Sequence, residues 1–311
     1  TYYNRLTSDK YAALSFPTST GFSSVTNNNG EFRNQGIEIE LSGKIIDSKD
    51  WTWSASGNIA FNKNKIVSLP DNGMERNRIN AFQVYTGNGD EKKWVGGQQE
   101  GQEPGILYLY QADGIYRSYD EIPANLVRKY GSRTYYGPEA WNKLTAEQQN
   151  ATTNFPIQPG DTKFHDVNGD DVIDEFDKVK VGATSPRWTG GFNTTLRWKN
   201  FQLYGRFDYA LGFWLYENSG TQSTTPWFMG CYQGTYNTPT MYYDTWSESN
   251  PNAKYPRYLF ADQNGKNNYI ASTMFAYRGD YLAIREISLS YSLAESVAKM
   301  LKMQRAEVSI T

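Results

Sequence analysis

Between Asp166 and Asp177 the chain reads DVNGDDVIDEFD, six acidic side chains in twelve positions. Carboxylates alternating around a tight turn suit a hard cation, because calcium takes about six to eight oxygen ligands. In EF-hand-type spacing, Asp166, Asn168 and Asp170 take positions 1, 3 and 5. The Val172 carbonyl takes position 7, Asp174 position 9 and Asp177 position 12. Two details depart from that pattern. Position 6 is Asp171 instead of glycine, although aspartate tolerates a left-handed backbone better than most residues. Position 12 is aspartate, whose shorter arm makes bidentate contact harder. The flanks PGDTKFH and KVKVGATSP carry no helical pattern, so the segment 161–185 is expected to be a structural calcium clip, not a switch. The competing reading is a solvated acidic turn without metal.

Other chemistry is scarce. The single histidine, His165, sits beside the acidic loop. No nucleophile-elbow motif accompanies it, and the His/Cys clusters of zinc sites are missing. Almost any two Asp or Glu residues can converge for glycoside hydrolysis, so that pattern carries no information without a pocket. An enzyme is not expected. A second kind of chemistry is stacking. The segment from Gly220 to Phe260 holds Trp227, Phe228, Tyr232, Tyr236, Tyr242, Tyr243, Trp246, Tyr255 and Tyr258. Sugar rings and peptides both bind such faces. Trp227, Tyr232 and Trp246 are the candidate ligand contacts, with packing between loops as the preferred alternative.

These residues need a frame, and the frame reads as strands. From Trp188 one parity runs Trp188, Gly190, Phe192, Thr194, Leu196, Trp198, against Thr189, Gly191, Asn193, Thr195, Arg197. After Lys199-Asn200, Phe201, Leu203, Gly205, Phe207, Tyr209, Leu211, Phe213 and Leu215 oppose Gln202, Tyr204, Arg206, Asp208 and Ala210. Arg206 and Asp208 on the polar parity are further candidate cargo contacts, or pair with each other. An earlier hairpin repeats the plan. Ile37, Ile39, Leu41, Gly43 and Ile45 oppose Glu38, Glu40, Ser42 and Lys44, and after DSKD comes Trp51, Trp53, Ala55, Gly57, Ile59, Phe61. Period two predicts antiparallel strands.

A soluble β-sandwich also alternates. Globular strands usually run about 5–6 residues, however, whereas a tilted membrane-spanning strand needs roughly 9–11. Tryptophan at both ends of 188–198 matches an aromatic girdle at two interfaces. Short connections (DSKD, Lys199-Asn200) alternate with long segments near 12–33, 67–185 and 217–279, the layout of a barrel with periplasmic turns and extracellular loops. GILYLYQADGIYRS (105–118) is a further strand candidate inside the second long segment. Short helices are expected near 138–149 and 294–303. The fold class is therefore all-β, a segment of a large antiparallel transmembrane barrel.

Composition agrees. Tyr, Phe and Trp number 24, 15 and 9, while Lys+Arg (31) and Asp+Glu (33) leave a net charge of -2, which gives no case for nucleic acid. One cysteine, Cys231, excludes an internal disulfide framework. No apolar run of transmembrane-helix length occurs. TYYNRLTSDK lacks the pattern of a signal peptide and reads as mid-strand, and RAEVSIT reads as a strand cut short.

Several blocks carry a family resemblance. NNNGEFRNQGIEIELSGKIID with WTWSASGNIAFNKNKIVSL, PGDTKFHDVNGDDVIDEFDKVKVGATSPRWTGGFN, and YLAIREISLSYSLAESVAKMLKMQRAEVSI resemble the SusC/RagA family of TonB-dependent outer-membrane transporters. The blocks fall in family order over almost the whole chain. The resemblance implies a bacterial outer-membrane barrel importing glycans or peptides, a SusD-like surface lipoprotein as lid, and TonB acting on an N-terminal plug. Nothing in residues 1–311 resembles the plug, and the closing strand is missing. The expectation is the C-terminal portion of the barrel, set in outer-membrane lipid. The alternative is a secreted, soluble β-rich module, stabilised by calcium, that binds glycan.

Overall fold

The computed structural model describes residues 1–15, 24–217, 244–257, 268 and 270–311. Seven strands form one antiparallel sheet: β1 (Tyr2–Ser15), β2 (Ser24–Asp47), β3 (Trp51–Ser68), β4 (Trp188–Trp198), β5 (Phe201–Leu211), β6 (Tyr281–Ser292) and β7 (Glu307–Ile310). Spatial order follows chain order, so the sheet is an up-and-down meander. At about 3.3 Å per residue, the 18 residues of β3 reach on the order of 60 Å, about twice the hydrocarbon thickness of a bilayer. The segment 12–33 predicted as a loop is therefore mostly strand, with β1 continuing to Ser15 and β2 starting at Ser24. Its polar run TNNNG gave no alternation to read, yet its backbone pairs with β1.

Both predicted turns are present. At DSKD, Ser48 accepts from the Trp51 amide through its hydroxyl at 3.2 Å and donates its own amide to the Trp51 carbonyl. At the other turn Lys199 takes a positive φ of 51°. The β6–β7 connection carries the helix Glu295–Met300, within the predicted 294–303.

Register places the predicted parities on common faces. Phe61, Trp188 and Leu211 lie abreast, as do Trp51, Trp198, Phe201 and Tyr291. The second row is continuous: Trp51 stacks on Trp198 at 5.7 Å, Trp198 on Phe201 at 6.0 Å, and Phe201 meets Tyr291 at 4.7 Å. At the opposite end Phe61 meets Trp188 at 4.7 Å, and midway Phe192 stacks on Phe207 at 4.6 Å. Most of this face is open. Ile39, Leu41, Phe192, Leu203, Leu282 and Ile284 are all exposed, and among the described residues of the wall strands only Ile66 and Ala210 are buried apolar side chains.

Strand β6 shows why its sequence loses phase. Leu282 and Ile284 share a parity, whereas Ile287, Leu289 and Tyr291 take the other. A β-bulge at Arg285 absorbs the slip: Arg206 pairs with Glu286 and Phe207 with Ile284, leaving Arg285 opposite no residue of β5. One extra residue keeps all five apolar side chains on one face.

Close cross-strand packing also depends on Gly190. The Tyr209 ring lies across it to donate its hydroxyl to the Asn58 carbonyl at 3.2 Å. A β-carbon there would overlap that carbonyl and the Tyr209 hydroxyl. Gly190→Val is expected to cost at least about 2 kcal/mol through overpacking and the lost hydrogen bond. The urea midpoint of the refolded protein checks this, and an unchanged midpoint would show that the strands part freely here.

The compact core lies elsewhere. Residues 69–187 pack with the described residues of 244–280, with Tyr110, Tyr116, Leu126, Tyr135, Phe164, Ile173 and Ile270 in one cluster. The candidate strand 105–118 resolves into Ile106–Tyr110, paired with Lys178–Ala183, and Ala112–Ile115, paired with Thr162–Phe164. A four-stranded sheet orders Asn154–Pro156, Arg133–Tyr136, Val127–Tyr130 and Val172–Ile173. The predicted 138–149 helix is two short ones, Pro138–Asn142 and Ala146–Gln149, the latter opened by a Thr145/Gln148 capping box.

Candidate functional site: the acidic loop, the interloop clasp and the polar wall

The acidic loop spans the short strand Val172–Ile173, and its carboxylates are turned onto its own backbone. Asp166 accepts the Gly169 and Asp171 amides, both at 2.8 Å. Asp177, fully buried, accepts those of Val167 at 2.9 Å and Asp174 at 2.7 Å. Asp170 accepts from Val172, and Asp174 from Phe176. Asp171 adopts φ 64°, the left-handed turn expected of position 6. The flanks are not helical, as expected; they are the strands Thr162–Phe164 and Lys178–Ala183. Burial pushes the Asp177 carboxyl up to about 6, against the pull of its two amide donors.

One contributor was invisible in the sequence. Asp90, on the connection between the paired strands Phe82–Tyr85 and Lys92–Val95, accepts from the Asn168 side-chain amide at 2.8 Å. The Tyr85 hydroxyl lies beside this cluster: burial first, then Asp174, Asp170, Asp177 and Asp90, push it up to about 12. Lys92 caps the neighbouring Phe176 ring at 3.6 Å. As these side chains stand, no three His, Cys, Asp or Glu among the described residues form a ready metal cage. Buried Asn168 Oδ1 nevertheless has no hydrogen-bond partner.

Beside the loop, the two long connections are clasped together. Asp161 is fully buried. Its Oδ1 accepts from Arg257 Nε at 2.8 Å and Asn268 Nδ2 at 3.3 Å, and its Oδ2 from the Gln158 amide at 3.0 Å. Arg257 also donates to Gln158 Oε1, and Asn268 Oδ1 accepts the Thr162 amide. Trp246 packs its ring on Gly160, where a β-carbon would overlap it. Trp246 thus lies against the connection that carries Asp161. Trp227 and Tyr232 lie outside the described residues.

A third cluster gathers around Tyr130. Its ring meets Tyr110 edge-on at 6.2 Å. Its hydroxyl adds to burial in raising the Tyr110 hydroxyl, and in pushing that of Tyr216 up to about 12.

On the polar face of the wall, Asp208 does not pair with Arg206. The bulge presents Arg285 instead, whose Nε and Nη2 both reach the Asp208 carboxylate, the latter at 2.8 Å. Such a fork is a geometry that Arg makes better than Lys. Arg206 has no hydrogen-bonded partner among the described residues and stays exposed beside Asn193 and Glu40 along a shallow recess.

Wall and loops together match known barrels. No family model matches the chain. TonB-dependent receptor P3 of Formosa agariphila is 27% identical over 295 residues, 95% of this chain and 25% of that protein. TonB-dependent receptor SusC of Bacteroides thetaiotaomicron is 23% identical over 295 residues, 93% of this chain and 23% of that protein. The structure of the RagAB peptide transporter superposes with a TM-score of 0.58 at 18% identity, covering 100% of this chain and 29% of that one. The chain thus spans about a quarter of the length of the curated relatives it matches. With an open apolar face between two aromatic rows and long packed loops at one end, the chain is similar to a barrel-wall and loop segment of TonB-dependent receptors such as P3 and SusC.

Proposed function

We propose that the protein carrying this chain is a bacterial outer-membrane transporter importing oligosaccharides or peptides, and that this segment is the C-terminal part of its wall. The carrying observation is the exposed apolar face bounded by the Trp51–Trp198–Phe201–Tyr291 row and the Phe61–Trp188 pair. A soluble module would cover that surface, since exposed apolar patches of this extent are rare in monomers. Lipid covers it at no cost to the polar parity, which turns Arg206, Asp208 and Arg285 toward a wet lumen. A SusD-like surface lipoprotein as lid and TonB as energy source complete the reading; the peptide cargo named for RagAB and the name SusC support it. The test is the intact mass and fraction of the native protein extracted from cell envelopes. A detergent-dependent species several-fold above 35.5 kDa in the outer membrane is expected. A soluble species near 35.5 kDa would overturn the reading in favour of a secreted glycan-binding module.

Calcium at the acidic loop is part of this proposal. Asp166, Asn168, Asp170, the Val172 carbonyl, Asp174 and Asp177 would hold it, neutralising a cluster in which Asp177 is buried and whose carboxylates make no ion pair among the described residues. Each carboxylate oxygen accepting one amide keeps a second lone pair, and Asn168 Oδ1 needs a partner. Bound calcium would fasten the loop. At a hundredfold excess over Kd it should stabilise by about 2.7 kcal/mol. Thermal unfolding of the purified receptor with calcium and with a chelator measures this. Asp170→Asn should shrink the difference; no calcium response in the parent protein would leave a metal-free acidic turn.

A further inference from the structure

The outward parity of β2 and β3 changes character just past the Phe61–Trp188 pair. Tyr2, Ile37 and Phe61 lie abreast on the open apolar face; the next row is Asn4, Gln35 and Lys63, and the one after it Leu6, Arg33 and Lys65. Directly opposed residues share a face, so Lys63, Arg33 and Lys65 point the same way as Ile37 and Phe61. Arg33 and Lys65 stand directly opposite each other. Like charges so placed repel, unless an anion lies between them. No carboxylate supplies it, since none of the three cations makes an ion pair among the described residues. Glu31, further along β2, makes no ion pair among them either. Lys63 and Lys65 are exposed, and half-buried Arg33 has its Nε buried without a hydrogen-bond partner.

Height fixes what can reach these cations. At about 3.3 Å per residue and a tilt of roughly 40°, Lys63 stands about 5 Å above the Phe61 level, and Lys65 about 10 Å above it. A bilayer's headgroup layer extends roughly 5–8 Å beyond the hydrocarbon on each side. The three cations therefore straddle that layer, on a strand face that continues unbroken from the apolar surface. Phosphate is the group that fits. Its oxygens accept from a guanidinium fork and from two ammonium groups at once. We propose that Arg33, Lys63 and Lys65 bind the phosphate of an anionic outer-leaflet lipid, whose acyl chains run down over Ile37 and Ile59. Basic side chains at a membrane surface gain most from such headgroups. The site rests on the reading of this sheet as a membrane wall, and adds to it a lipid partner of defined chemistry.

The experiment uses the full-length receptor in detergent, with native mass spectrometry to count retained lipid. The probes are lipid A and the same lipid with its phosphates removed. The receptor should hold the phosphorylated form about tenfold or more tightly, the discrimination expected of charged hydrogen bonds. Arg33→Gln/Lys65→Gln should erase that preference, and Lys63→Gln, at an exposed position, should lower it several-fold. Lys93→Gln, on the loop strand Lys92–Val95, should leave it unchanged. Equal retention of both lipids, or a preference that survives in the double variant, would overturn the site. Displacement of the lipid by inorganic phosphate alone would also overturn it, by marking a site for a soluble anion. So would a double variant whose melting temperature falls equally with either lipid, because a carboxylate elsewhere in the receptor would then be the partner. Fractionation of the same preparation keeps the two readings apart. An outer-membrane protein of full mass with no phosphate preference loses only the lipid site. A soluble species near 35.5 kDa loses the wall, and the lipid site with it.

Discussion

Arg257→Met is expected to cost about 3–5 kcal/mol in the docking of the two long loops, because it strands the Asp161 carboxylate in a buried site. Asp161 is fully buried, while the Arg257 side chain is 22% exposed. The remaining donors, Asn268 Nδ2 at 3.3 Å and the Gln158 amide, are neutral and cannot replace a guanidinium. The loss should spread to Ile270, which enters the cluster of Tyr110 and Phe164 only because the connection holding Asn268 is docked. Hydrogen exchange on the full-length receptor reads this directly: amides at 270–275 should lose protection, whereas those of β4 and β5 should not. The double variant Asp161→Leu/Arg257→Met should recover part of the loss, since neither charge is left alone. Unchanged exchange in Arg257→Met would mean that apolar packing alone holds the loops together.

The second large effect concerns the open face. Phe207→Arg places a charge at the middle of the span and breaks the stack with Phe192 at 4.6 Å. Near the bilayer midplane this should cost about 2–4 kcal/mol. Thr195→Arg sits on the polar parity of the neighbouring strand, level with Tyr204, and should stay within about 0.5 kcal/mol. Urea unfolding of the receptor refolded into lipid vesicles measures both. Asymmetry between the two faces is the signature of lipid on one side and water on the other. Equal penalties would indicate protein on both sides and remove the case for a membrane wall.

The wall was legible because a half-solvated strand writes its environment in every second residue. From Trp188 to Leu211 the parities read from sequence match the observed register residue for residue, but the expected run on to Phe213 and Leu215 breaks at Gly212 (φ 81°), which turns Phe213 into a buried site and Leu215 into a separate short strand. The reading faltered where periodicity is broken by a single residue, at the Arg285 bulge, and where a strand leaves the apolar layer and needs no alternation, as in TNNNG. The acidic loop was legible in its turn, down to the left-handed Asp171. Its outside partner was not: Asp90 and Asn168 are 78 positions apart, and Asp161 and Arg257 are 96 apart. Such contacts are settled by how two long connections pack over each other, and no local spacing records that. For the same reason Arg206 and Asp208, adjacent on one parity, were natural partners in the sequence until the bulge offered Asp208 a better one.

Strands β2 and β3 stay paired from the Asp47–Thr52 turn end to Glu31 and Ser68, without a hinge where the apolar layer stops. Mechanically this makes the pair a stiff post. A force drawing the loops along the strand axis would load the ladder of backbone hydrogen bonds together, in shear, instead of opening them one after another like a zipper. Displacement at the outer tips would therefore reach the turn end of the sheet almost undiminished, and the weakest joint in the path would be the clasp between the loops.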